Sequence, residues 1–133
     1  MFPVEGQSPN KFKEVITMTY DKQIAVTILN QLGGPYFIAF TGAKDFTTIK
    51  NGLRFKIGHN ASKTNRIEIT LNGSDLYDMT FYKYRPFSVK VDHKNGEVKT
   101  TEEKIETIRE FKDVYFDQLQ ELFTEVTGLY THF

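Results

Sequence analysis

The sequence predicts an α+β domain, an antiparallel sheet of four to five strands with an N-terminal helix and a C-terminal helix packed on it. Three observations carry that expectation. Ile24, Ile28 and Leu32 recur four apart, with Ala25 and Leu29 widening the stripe, as on the buried face of a helix. From Leu53 to Val91 the apolar residues alternate with polar ones instead, and the connections are short, which favours an antiparallel meander over βαβ units. Near the end, Tyr115, Leu119, Leu122 and Val126 return to helical spacing, flanked by Phe116 and Phe123.

Met1–Asn10 has two prolines and no periodicity, so residues 1–10 read as a flexible arm and residues 11–133 as a single domain. Phe12–Met18 fits a strand or an early helical turn equally well. Thr19 or Asp21 can cap the first helix, and Gly33-Gly34-Pro35 supplies its stop. Tyr36–Phe40, aromatic and β-branched, reads as a short buried strand. Thr41–Phe46 breaks it, with Gly42 allowing a positive φ between two strands. Leu53, Phe55 and Ile57 then share one strand face, with Arg54 and Lys56 on the other.

Arg66–Leu71, Met79–Tyr84 and Phe87–Val91 continue the series, punctuated by the tight-turn signals Asn72-Gly73 and Asn95-Gly96. Residues 94–112 are rich in Lys, Glu and Thr; extended structure near Ile105–Phe111 is preferred over a helix beginning around Glu102. Gly128 suits a left-handed helix stop, with Leu129 as its apolar partner.

With 133 residues, 39% of them hydrophobic, the chain can bury one core without covalent staples. It has no cysteine, which excludes disulfides, thiolate metal sites and a thiol nucleophile. No opening stretch has the pattern of a secretory signal, and no apolar run approaches the roughly 20 residues of a membrane span. The expectation is therefore a cytoplasmic protein with no membrane partner. Asn60-Ala61-Ser62 and Asn72-Gly73-Ser74 match a glycosylation pattern but read as loop residues.

His59, His93 and His132 are scattered, so no metal site is expected. Thr41-Gly42-Ala43-Lys44 lacks the glycine spacing of a phosphate loop. The acidic residues from Glu102 to Asp117 read as a solvated segment rather than an acid–base pair. Neither a cofactor nor a catalytic residue is expected.

Leu32-Gly33-Gly34-Pro35-Tyr36-Phe37-Ile38-Ala39-Phe40-Thr41-Gly42-Ala43-Lys44-Asp45-Phe46 resembles a stretch of small uncharacterised proteins of bacteriophages, plasmids and integrated mobile elements. Val114-Tyr115-Phe116-Asp117-Gln118-Leu119 and Phe123-Thr124-Glu125-Val126-Thr127-Gly128-Leu129 are similar to the same group. The chain departs from it at Phe40 and Asp45, where Met and Asn are common, and in a longer polar stretch from Lys94 to Thr107. The resemblance implies a setting, a mobile-element protein in a bacterial host cytoplasm, and brings no activity with it.

Net charge is zero, yet unevenly spread: residues 44–90 carry nine basic and four acidic groups, while residues 91–133 carry five and ten. The basic middle points to a nucleic-acid-binding face of the sheet, contacting single- or double-stranded nucleic acid through Lys44, Arg54, Lys56, Arg66, Lys83 and Arg85. The strand alternation sets Tyr82 and Tyr84 on one face and Lys83 and Arg85 on the other, which counts against that reading. The alternatives are a protein-interaction module, either a homodimer or an inhibitor of a host protein, and simple attraction within the fold between the basic and acidic segments.

Overall fold

The computed structural model describes the backbone of residues 9–131 and the side chains from residue 19 onward. Pro9 opens the first helix, α1 (Pro9–Leu32), a position where a missing N–H leaves no hydrogen bond unmade. The helix runs through Phe12–Met18 and takes in Pro9 and Asn10 from the expected arm; residues 1–8 lie outside the described residues. Caps at Thr19 or Asp21 are overturned, because both sit in mid-helix. Asp21 turns its carboxylate to a distant strand turn instead, where Oδ1 accepts the Asn51 N–H at 2.9 Å. Ile24, Ala25, Ile28 and Leu32 are buried as their spacing predicts, and Gly33 and Gly34 end the helix with φ of 125° and 58°.

The expected strand at Tyr36–Phe40 is a helix, α2 (Pro35–Thr41), leaving α1 at 66°. Signals on both sides outweigh the strand-forming side chains between them. Pro35 starts the turn, and Gly42, left-handed with φ 69°, closes it by donating its N–H to the Ile38 carbonyl at 3.0 Å. Burial then follows a helical step of four: Phe37 and Thr41 are buried, while Tyr36, Ile38 and Phe40 face out. Gly42 accordingly joins a helix to a strand, not two strands.

Seven strands follow: β1 (Lys44–Ile49), β2 (Gly52–Lys56), β3 (Arg66–Leu71), β4 (Tyr77–Arg85), β5 (Ser88–Val91), β6 (Val98–Thr101) and β7 (Lys104–Val114). The main sheet is antiparallel in the order β1-β2-β3-β4-β7, and β5 and β6 form a separate two-stranded ribbon. Phe87–Val91 therefore leaves the main sheet rather than extending it, and β7 takes the place beside β4. The extended reading of Ile105–Phe111 holds. Strand β1 went unread because it has no buried residue to mark it. Gly52 is required where it is, since a Cβ there would collide with the Ile69 carbonyl on β3.

A 3-10 turn (Phe116–Gln118) leads into the last helix, α3 (Leu119–Thr127). Leu119 and Phe123 are fully buried, and Leu122 and Val126 pack at the margin of the core. Tyr115 and Phe116, placed by their spacing on or beside the helical stripe, are instead exposed, because the 3-10 turn breaks the helical period before Leu119. Gly128 adopts the left-handed cap as expected. All three helices contribute to one core on a single face of the sheet.

Phe123 meets Phe37 edge-on at 5.0 Å and lies 6.4 Å from Phe81. Phe123→Ala should lower the unfolding free energy by about 3–5 kcal/mol in a denaturant titration. Tyr115→Ala should change it by less than about 0.5 kcal/mol. Equal losses at the two positions would contradict this placement of the C-terminal segment.

Candidate functional site

Strand alternation sorts the side chains of the sheet into two sets. Leu53, Phe55, Ile67, Ile69, Met79 and Phe81 point into the core and are buried. The same period sends Arg54, Lys56, Arg66, Glu68, Thr80, Tyr82 and Tyr84 to the opposite face. Among the described residues no helix lines that face; it forms a hollow of about 480 Å³ that reaches all five strands, from Asp45 and Thr47 on β1 to Ile105 and Thr107 on β7.

The hollow brings tyrosines and cations together after all, because they come from different strands. Arg66 stands directly opposite Tyr82 in the β3–β4 ladder, and its guanidinium lies 5.1 Å from the Tyr84 ring centre. Asn65 holds that geometry. Its side chain donates to the Tyr84 carbonyl at 2.8 Å and accepts the Tyr84 N–H at 2.7 Å. The amide thus imitates a neighbouring strand and keeps Tyr84 in the outward row.

Three of the six expected contact residues, Arg54, Lys56 and Arg66, line the hollow. Lys44 pairs in register with Lys56 at its margin. Lys83 and Arg85 go to the other side of the sheet, into a cleft of about 160 Å³ with Lys104 and Glu106. There Lys83 stands opposite Glu106, so part of the basic middle does meet the acidic end within the fold.

Carboxylates also enter the hollow, which the sequence reading missed. Asp45 binds Lys56 at 3.1 Å, and that hydrogen bond, then the lysine's charge, lowers its pKa below the usual carboxylate value. Such an exposed pair adds little stability. Glu68 stands opposite Arg54 in the ladder and lies beside the Tyr82 hydroxyl. Glu103 arrives from the connection between β6 and β7, and its nearby carboxylate raises the pKa of the Tyr84 hydroxyl. Alternation along β3 could have flagged Glu68. Nothing local could have flagged Glu103, whose position depends on β7 pairing with β4.

No family model, curated protein or solved structure matches this chain. The site must therefore be read from its own chemistry. Among the described residues the ion pairs are Lys56–Asp45, Lys112–Asp78 and Lys112–Glu110, so Arg54 and Arg66 enter none. Two guanidiniums outside those ion pairs, one of them over an aromatic ring, suit an anionic, planar ligand. His59 and His93 are exposed, and His132 lies outside the described residues. No group of three or more metal-ligating side chains converges among the described residues. No single helix among the described residues is long and apolar enough to cross a membrane.

Tyr82 forms the floor of the hollow, facing outward yet only 6% exposed. Burial first, and the adjoining Glu68 carboxylate second, push its hydroxyl up to about 12. A raised tyrosine pKa favours the folded state while the hydroxyl is protonated. Its contribution is therefore complete below the ordinary value near 10 and declines as pH rises from there toward 12. An alkaline titration followed by tyrosinate absorbance should show a late-ionising tyrosine that Tyr82→Phe removes. Loss of an early-ionising tyrosine in that variant would contradict the buried floor.

Proposed function

We propose that this chain is a non-catalytic nucleic-acid-binding protein of a phage or mobile element, taking a single strand across the open face of its main sheet. The observation that carries the reading is the union, on one uncovered face, of unpaired Arg54 and Arg66 with the Tyr84 ring. Single-strand binders need that combination: cations to track the phosphates and planar groups on which bases stack. Five strands spaced at about 4.8 Å give the trough a length of roughly 19 Å. That accommodates about five stacked nucleotides at 3.4 Å each. The mobile-element setting rests on the resemblance carried by Leu32–Phe46 and by the C-terminal segment.

A second reading, a homodimer, is favoured by the β5–β6 ribbon. Val89, Val91 and Val98 share one of its faces and are 50–62% exposed, and Phe87 at its root is 55% exposed. Two-stranded ribbons are marginal alone in water, so an apolar face of this kind gains from a cover.

Titrating labelled single-stranded oligonucleotides at several salt concentrations separates the two. Arg54→Ala with Arg66→Ala should weaken binding and lower the log–log salt slope by roughly 1.4, about 0.7 for each lost phosphate contact. Lys83→Ala with Arg85→Ala, on the other side of the sheet, should leave that slope unchanged. No binding by the intact protein at low salt overturns the nucleic-acid reading. A sedimenting dimer that Val91→Asp dissociates would then establish the second.

A further inference from the structure

A trough built only to hold phosphates would not contain carboxylates, because each one repels the backbone it is meant to attract. Here Asp45, Glu68 and Glu103 line the same hollow as Arg54, Lys56 and Arg66. Asp45 is held by Lys56 at 3.1 Å. Glu68 and Glu103 are different: neither enters an ion pair among the described residues, and they lie beside Tyr82 and Tyr84 respectively. Glu68 is placed by its ladder partners Arg54 and Thr80, and Glu103 by the pairing of β7 with β4. A carboxylate has about four acceptor positions, so each keeps free lone pairs for a ligand.

Glu68 stands between Arg54 on β2 and Thr80 on β4, the residues directly opposite it in the two ladders. Phosphate oxygens are drawn to Arg54 and Arg66 and driven from Glu68 and Glu103, which leaves the carboxylates to the bases. A carboxylate can only accept, so the bases that suit it are those presenting donors. Cytosine offers its N4 amino group, adenine its N6 and guanine its N2, whereas thymine offers only an N3–H flanked by the O2 and O4 acceptors, which repel a carboxylate. Uracil shares that O4.

Resting on the single-strand reading above, we propose that Glu68 and Glu103 make this site base-selective, favouring strands with an exocyclic amino group over thymine and uracil. The two glutamates are specificity residues, and the two arginines are the base-independent contacts. Thr80 and Thr107, whose hydroxyls both donate and accept, line the same hollow and discriminate less.

The test uses the full chain with labelled ten-nucleotide oligo(dC), oligo(dA) and oligo(dT) at one low salt concentration. Oligo(dC) and oligo(dA) should bind about tenfold tighter than oligo(dT), the size of one carboxylate–amino hydrogen bond. Glu68→Gln with Glu103→Gln keeps the size of each side chain, removes its charge and adds an amide donor that can meet O4. The gap between oligo(dC) and oligo(dT) should shrink to about twofold in that variant. Arg54→Ala should weaken all three strands alike and leave the ratio between them unchanged, whereas the glutamate variant changes the ratio. Binding of all three with equal strength, or tightest to oligo(dT), overturns the selectivity and leaves the nucleic-acid reading in place. Binding of none overturns both.

Discussion

Phe37, Phe55, Phe81 and Phe123 meet in the interior, one each from α2, β2, β4 and α3, with Phe37 edge-on to Phe55 at 5.5 Å and to Phe123 at 5.0 Å. This cluster ties both ends of the chain to the middle of the sheet. It also explains why Tyr36–Phe40 winds into a helix. A strand there would expose every other residue to each side, whereas one helical turn drops Phe37 alone into the cluster and leaves Tyr36 and Phe40 outside. The helix residues of the core all serve that one face, and among the described residues nothing layers the other, which must satisfy itself in water.

It does so with charge and hydroxyl chemistry rather than apolar cover. Tyr82 and Tyr84 lie against Glu68 and Glu103, Lys56 against Asp45, and Arg66 over the Tyr84 ring. Most of these contacts join residues on neighbouring strands, as expected where cross-strand pairs are the stabilising unit of an exposed sheet. Arg54 and Arg66 are left without carboxylate partners among the described ion pairs. The same arrangement that stabilises an open face therefore also presents two cations and an aromatic surface to whatever approaches it.

Much of the main sheet was legible because its central strands are buried on one side only. Leu53, Phe55, Ile67, Ile69 and Met79 alternate with polar residues, and Arg54, Lys56 and Arg66 fall outward by the same rule. Strand β1 was not legible, since it is an edge with no buried residue and a bulge near Asp45, whose φ is 55°. Tyr115 misled through spacing alone, because a 3-10 turn separates it from Leu119. The site was half legible. Its arginines follow from local alternation, while the union of Arg66 with Tyr84 and of Tyr84 with Glu103 depends on which strands become neighbours. Local periodicity cannot supply that, although it does set Lys83 and Arg85 opposite Tyr82 and Tyr84, on the side of the sheet away from the hollow.

The central claim is that the uncovered face is where a ligand binds, and amide chemical shifts of the isotopically labelled chain test it most directly. Titration with a single-stranded oligonucleotide at low salt should move the amides of β2, β3 and β4 around Arg54, Glu68, Thr80 and Tyr84 while those of α1 and α3 stay in place. Shifts confined to the helices or to the β5–β6 ribbon would contradict the account, as would a spectrum that does not move.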